Sequence, residues 1–132
     1  MDKYVLMLED DRDDRYITTE TLSELGIEIP IKFFSNSREV LDHISKAEKP
    51  ALMLIDFNAT PDNGIEMLKK LKSNDLYQEI PVVILSDNNF SHYRSKCYQL
   101  GAASFIKKPE THQATQQKIE TFFKYWFEVA EV

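Results

Sequence analysis

A chain of 132 residues, 42% hydrophobic, 11% aromatic and 29% charged, is built like one soluble globular domain, with length enough to bury about two-thirds of the surface that its unfolded form exposes. That make-up excludes a disordered or fibrous chain and leaves no room for a multidomain enzyme. Sixteen basic against 22 acidic residues give a net charge of −6, a poor match for a nucleic-acid groove or an anionic membrane surface.

Short apolar runs alternate with amphipathic stretches along the whole chain. Tyr4–Leu8 reads as a first strand, and Ile17, Thr21, Leu22 and Leu25 form the stripe of a helix that Gly26 closes, since a left-handed C-terminal cap favours glycine. Ile29–Phe34 reads as a second strand. Ser37, three residues before Val40, is placed to cap a helix carrying Val40, Leu41 and Ile44. Ala51–Ile55 follows Pro50 as a third strand, and the next helix shows Ile65, Leu68 and Leu71. Pro81–Leu85 is the fourth strand, its proline at the entry, where the missing N–H does least harm. A fourth helix bears Phe90, Tyr93, Cys97 and Leu100 and ends at Gly101. Ala103–Ile106 is the fifth strand, and Ile119, Phe122, Phe123, Trp126, Phe127 and Ala130 line the last helix.

Three of the strand runs are almost wholly apolar, as strands covered on both faces are. Five strands alternating with five helices therefore predict a doubly wound α/β fold, because right-handed crossovers place successive helices on the two faces of a parallel sheet. No repeat, low-complexity tract or Gly/Ser linker breaks the pattern, so a single domain over residues 1–132 is expected, with no output domain. The one cysteine, Cys97, has no partner for an internal disulfide and is expected as a small buried hydrophobe. The short apolar run after Met1 falls far below a signal segment or a membrane span, and a cytoplasmic location is expected. His43, His92 and His112 are expected at the surface, and the aromatic stripe of the last helix in the core.

In open parallel sheets the functional crevice lies beyond the carboxyl ends of the strands. The first run ends in Glu9-Asp10-Asp11, the third in Asp56, the fourth in Ser86-Asp87 and the fifth in Lys107-Lys108-Pro109. Glu9, Asp10 and Asp56 brought together repel one another unless a cation intervenes. All-oxygen ligands favour a hard ion, and a site with few protein ligands suits Mg²⁺. Zinc is disfavoured without nearby His or Cys. A carboxylate beside Mg²⁺, with a hydroxyl and an ammonium opposite, is equipped to take up a phosphoryl group. Asp56 is the natural nucleophile, Glu9 and Asp10 can share the metal, one directly and one through water, and the carbonyl of Asn58 could supply a further ligand. Strand alternation puts Lys107 and Lys108 on opposite faces, with Lys108 the better placed.

This ordered set resembles the receiver domain of the two-component response regulators, including its single-domain chemotaxis members. The likeness rests on Glu9-Asp10 with Arg15 downstream, Leu54-Ile55-Asp56, Gly64, Val83-Ile84-Leu85-Ser86, Gly101-Ala102, Phe105 and Lys108-Pro109, and it covers residues 3–130. It implies a flavodoxin-like sheet in the order 2-1-3-4-5. It further implies that Asp56 accepts the phosphoryl group, that Glu9, Asp10, Asp56 and the Asn58 carbonyl bind Mg²⁺, and that Ser86 turns toward the phosphoryl oxygens. Phe105 takes the place of the aromatic switch, Lys108 that of the phosphate-binding lysine, and the Lys108–Pro109 bond is expected to be cis. Gly64 and Gly101 are structural. The implied partners are a sensor histidine kinase or phosphotransfer protein, and a downstream protein on the face made by the fourth helix, fifth strand and fifth helix. Neither nucleic acid nor membrane is expected.

Three positions depart from the family pattern. Thr60 stands where a proline is usual and Pro61 follows it, Asp87 replaces a small residue after the switch hydroxyl, and Phe105 lacks the phenolic oxygen of tyrosine. A receiver that binds partners without being phosphorylated is therefore an alternative. So is a haloacid-dehalogenase-like phosphohydrolase, whose nucleophile loop Asp56-Phe57-Asn58-Ala59-Thr60 echoes, although the second aspartate is replaced by Asn58. Asp87 adds a negative charge beside the crevice. Asp87→Ala should accept phosphate from acetyl phosphate roughly two- to fivefold faster than the parent chain, and equal rates would remove Asp87 from the site.

Overall fold

The computed structural model describes residues 3–132, the side chains of residues 88 and 89 excepted. Its elements are β1 (Val5–Leu8), α1 (Arg12–Glu24), β2 (Ile31–Phe34), α2 (Ser37–Lys46), β3 (Leu52–Asp56), α3 (Gly64–Lys72), β4 (Val82–Ser86), α4 (Arg94–Gln99), β5 (Ser104–Lys107) and α5 (His112–Lys124). A 3₁₀ turn over Asn88–Tyr93 leads into α4, and a π turn over Tyr125–Val129 extends α5. All neighbouring strands are parallel, in the order β2-β1-β3-β4-β5. The doubly wound α/β fold and its strand order are those expected. No helix among the described residues is long and apolar enough to cross a membrane.

Alternation along the strands divides the core into two layers. Leu6, Leu8, Met53, Ile55, Val82 and Ile84 pack against α2, α3 and α4 through Val40, Met67, Leu68 and Cys97. Val5, Met7, Leu52, Leu54 and Val83 face the other way, toward Leu22 of α1 and Phe123 of α5. Cys97 is fully buried, as a small hydrophobe. The aromatic stripe does pack on the second layer: Phe123 is buried, and Phe122, Trp126 and Phe127 are half-buried around it. Tyr125, off the stripe, is 51% exposed.

Two local expectations need correction. The N-cap of α2 is Asn36, whose side chain accepts from Glu39 N–H at 2.9 Å. Ser37 lies one residue inside the helix, fully buried, and its Oγ accepts from Asp62 N–H at 2.9 Å. Its hydroxyl is thus used to tether the β3–α3 loop rather than the helix end. His43 is half-buried, unlike the exposed His92 and His112. It sits on the inner side of α2 against Phe34, with Nε2 3.0 Å from the Tyr4 hydroxyl.

Two glycines close their helices as expected, Gly26 at φ 69° and Gly101 at φ 103°. Gly64 serves differently, because it opens α3 directly against the residue after Asp56. A Cβ there would lie 3.2 Å from Phe57 Cα and 3.1 Å from its ring, and Gly64 N–H donates to the Phe57 carbonyl at 2.9 Å. Gly64→Ala should therefore cost about 1–3 kcal/mol through crowding, read from the urea midpoint. Gly26→Ala, which meets nothing within 4 Å, should lose only the roughly 1–2 kcal/mol of its left-handed backbone. A Gly64→Ala chain as stable as the parent would show that the loop yields.

Candidate functional site

β1 is buried throughout and delivers Glu9 just past its last residue. The Glu9 N–H donates to the Phe34 carbonyl at 3.0 Å, and Arg15 Nε donates to the Glu9 carbonyl at 2.5 Å, so the backbone is held from β2 and from α1. Its side chain is 1% exposed. Oε2 accepts from Asp11 N–H at 3.3 Å and Oε1 from Lys108 Nζ at 2.6 Å. Asp10, next along, is exposed.

β3 ends in Asp56, one residue further than the apolar run alone indicates. Its Oδ1 accepts from Asn58 N–H at 3.4 Å, while Phe57 N–H donates to the Leu85 carbonyl at 2.8 Å and fixes the turn against β4. One carboxylate oxygen from each of Glu9, Asp10 and Asp56 lies within 4.8 Å of the others. Lys108 Nζ is 3.5 Å from Asp56 Oδ2 and 3.4 Å from Asp14 Oδ2. The structure thus brings together Glu9, Asp10, Asp56 and Lys108 at one end of the sheet. Lys107 is exposed, and its carbonyl accepts from Lys118 Nζ at 2.9 Å.

The cis proline bond is Thr60–Pro61, and Lys108–Pro109 is trans, contrary to expectation. Intrinsic preference between the two isomers is small for any X–Pro bond, so surroundings decide. Lys108 does not need the cis form to reach the crevice. Its N–H continues the β4 pairing by donating to the Ser86 carbonyl at 2.7 Å, and its long side chain spans the rest.

Ser86 is fully buried at the end of β4, with its hydroxyl donated to the Asp87 carbonyl at 2.8 Å. Asp87 is exposed. Phe105 is half-buried against the layer that α4 covers, and its N–H donates to the Tyr98 hydroxyl of α4 at 3.1 Å.

Burial pushes the Glu9 carboxyl up to about 7, against the opposing pull of its bond to Lys108. Burial likewise raises Asp56, again against Lys108. Burial alone would lower Lys108, but its hydrogen bond to Glu9 and the charges of Asp56, Glu9 and Asp14 outweigh it and hold the ammonium protonated. Three carboxylates, Glu9, Asp14 and Asp56, thus share one ammonium, and Glu9, Asp10 and Asp56 lie close enough together to ligate one ion. An all-oxygen donor set in which burial makes negative charge costly fits a hard divalent cation of the Mg²⁺ class.

Asp14 is the member that sequence reasoning missed. Its one local signal is position, for Asp14 stands in the first turn of α1, which starts just beyond the β1 end that carries Glu9 and Asp10. It was obscured by the run Asp11-Arg12-Asp13-Asp14, in which acids at a helix start are accounted for by the dipole.

A family model described as response regulator receiver domain matches residues 5–120. The chain is 25% identical over 116 residues to a CheY chemotaxis protein homolog of Campylobacter jejuni, covering 88% of each. It is 29% identical over 127 residues to the transcriptional regulatory protein CrdR of Helicobacter pylori, covering 93% of this chain but only 56% of that protein. Among solved structures, a response regulator from Hahella chejuensis superposes with a TM-score of 0.89 at 27% identity, over 98% of both chains. The phosphorylated cyanobacterial phytochrome response regulator RcpA gives 0.89 at 23% identity, over 99% and 98%, which speaks for the fold alone.

Crowded carboxylates predict a linked response to metal. In chelator the chain should gain stability on adding Mg²⁺, by about 2.7 kcal/mol when the ion is at a hundred times its dissociation constant. Asp10→Asn should be more stable than the parent in chelator and respond to Mg²⁺ at least roughly tenfold more weakly. An unfolding midpoint indifferent to Mg²⁺ would leave the acid cluster without a metal.

Proposed function

The chain belongs to the response regulator receiver domain family, and we propose that it is a phosphorylation-dependent switch of a two-component system that accepts a phosphoryl group on Asp56. The observation that carries this reading is the position of Lys108 Nζ, 2.6 Å from Glu9 and 3.5 Å from Asp56, at the edge of the acid trio. Asp56 is the one carboxylate of that trio on a strand end facing the lysine while still reached by solvent, at 20% exposure.

An Asp56 Oδ attacks phosphorus, a new P–O bond forms, and the bond from phosphorus to the donor breaks, the leaving group keeping the electron pair. The donor is the phosphohistidine of a sensor histidine kinase or phosphotransfer protein, or a small acyl phosphate. Glu9, Asp10, Asp56 and the Asn58 carbonyl would hold Mg²⁺, which would supply positive charge to screen the transferring oxygens. Lys108 offers its ammonium to the same oxygens.

Ser86 then exchanges the Asp87 carbonyl for a phosphoryl oxygen. Because Lys108 N–H donates to the Ser86 carbonyl, a shift at the end of β4 is felt at the end of β5. Phe105 repacks, with no phenolic hydroxyl of its own to assist, and the face of α4, β5 and α5 changes for a downstream protein in the cytoplasm. Such a change is a shift between two populations biased by new acceptor oxygens. Asp87, exposed and next in the chain to Ser86, slows the phosphorylation.

Beryllofluoride with Mg²⁺, which mimics the acyl phosphate, should shift the amide resonances of Ser86, Asp87, Phe105 and Lys108, and Asp56→Asn should abolish the response. A silent spectrum would favour a phosphorylation-independent interaction module instead. Steady turnover of a generic phosphate monoester, lost in Asp56→Asn, would favour a phosphohydrolase.

A further inference from the structure

Asp14 lies outside the acid trio, yet its Oδ2 is 3.4 Å from Lys108 Nζ, as near as that of Asp56 at 3.5 Å. It is the third residue of α1 counted from the Asp11 N-cap. An acid at that position ordinarily turns back to the backbone N–H of the cap. Here the Asp11 N–H is taken by Glu9 Oε2 at 3.3 Å. The cap itself is complete without Asp14, since Asp11 Oδ1 accepts from Asp13 N–H at 2.8 Å and from Asp14 N–H at 3.1 Å. The Asp14 carboxylate is thereby left to face a lysine from the far end of the chain.

Resting on the reading of Asp56 as phosphoryl acceptor, we infer that Asp14 is a positioning residue for Lys108, the partner that the ammonium gives up when phosphoryl oxygens arrive. An ammonium has three N–H groups, and three carboxylates surround this one: Glu9, Asp14 and Asp56. The phosphoryl group carries several acceptor oxygens, and the ammonium turns a second N–H to them only when Glu9 or Asp14, its two hydrogen-bond acceptors, lets go. Glu9 is 1% exposed and its release would strand a buried charge, which is costly. Asp14 is 39% exposed, so water takes over its solvation at little cost. Asp56 is the residue being modified. Asp14 is therefore the exchangeable partner, and its hold on Lys108 opposes formation of the phosphorylated state.

The experiment is beryllofluoride binding, with saturating Mg²⁺, to the parent chain and to Asp14→Asn, Asp14→Glu and the Lys108→Met pair with and without Asp14→Asn. Asp14→Asn should bind roughly three- to tenfold more tightly, Asp14→Glu should stay within about twofold of the parent, and the gain should vanish in the Lys108→Met background. A gain that persists without Lys108 would show a mere field effect and overturn the inference. Should Lys108→Met fail to fold, the ¹³C carboxyl resonance of Asp14 decides. It should move when beryllofluoride binds the parent chain, and an unmoved resonance overturns the inference. If the parent binds and Asp14→Asn binds no more tightly, this inference alone fails. If neither binds, the acceptor reading fails, and this inference with it.

Discussion

The ion pair between Glu9 and Lys108 is the constraint on which the site depends. A carboxylate 1% exposed at the end of a wholly buried strand needs a cation within hydrogen-bond reach, and Lys108, 99 residues away, supplies it at 2.6 Å. Leaving either charge behind without the other would cost about 3–5 kcal/mol in a site of this kind. The pair therefore ties the first strand end to the last and fixes where the ammonium stands relative to Asp56. Its energetic contribution to folding is secondary to this positioning, because burying both charges offsets much of their attraction.

Parallel pairing does the rest of the assembly. Leu8 lies level with Ile55, and Asp56 with Leu85, so the ends of β1, β3 and β4 meet at one edge of the sheet, where carboxylate oxygens of Glu9, Asp10 and Asp56 lie within 4.8 Å of one another. The apolar interior sets this register, since slipping a strand by one residue would turn its buried side chains to the opposite face. Crowding of acids is the consequence, and the raised Glu9 and Asp56 carboxyls record the burial behind it.

The same packing links the site to the surface. Gly64 lets α3 start directly on Phe57, the residue after Asp56. Phe57 in turn stacks on Tyr93 and Phe90 of the turn that follows Ser86, with ring centroids 5.0 and 4.9 Å apart. Lys108 N–H is bonded to the Ser86 carbonyl, and Phe105 N–H to the Tyr98 hydroxyl of α4. A displacement at the ends of β3 or β4 thus meets aromatic and backbone contacts that lead toward α4 and β5, in a close-packed interior that transmits strain.

Much of this was legible in the linear chain. Strand-length apolar runs, helical stripes and polar residues at the run ends are local patterns, because burial of a strand or a helix face depends on side chains two to four positions apart. They determined the α/β class and pointed to Glu9, Asp10, Asp56, Ser86 and Lys108 before any contact was known. Tertiary structure alone decided that Ser37 tethers a loop while Asn36 caps α2, that His43 turns inward onto Phe34 and Tyr4, and that Thr60–Pro61 rather than Lys108–Pro109 is cis. It alone brought Asp14 within 3.4 Å of Lys108. The Ser37 hydroxyl, the His43 ring and the Asp14 carboxylate each meet a partner from a distant part of the chain, Asp62, Tyr4 and Lys108. Periodicity carries no information about such a partner.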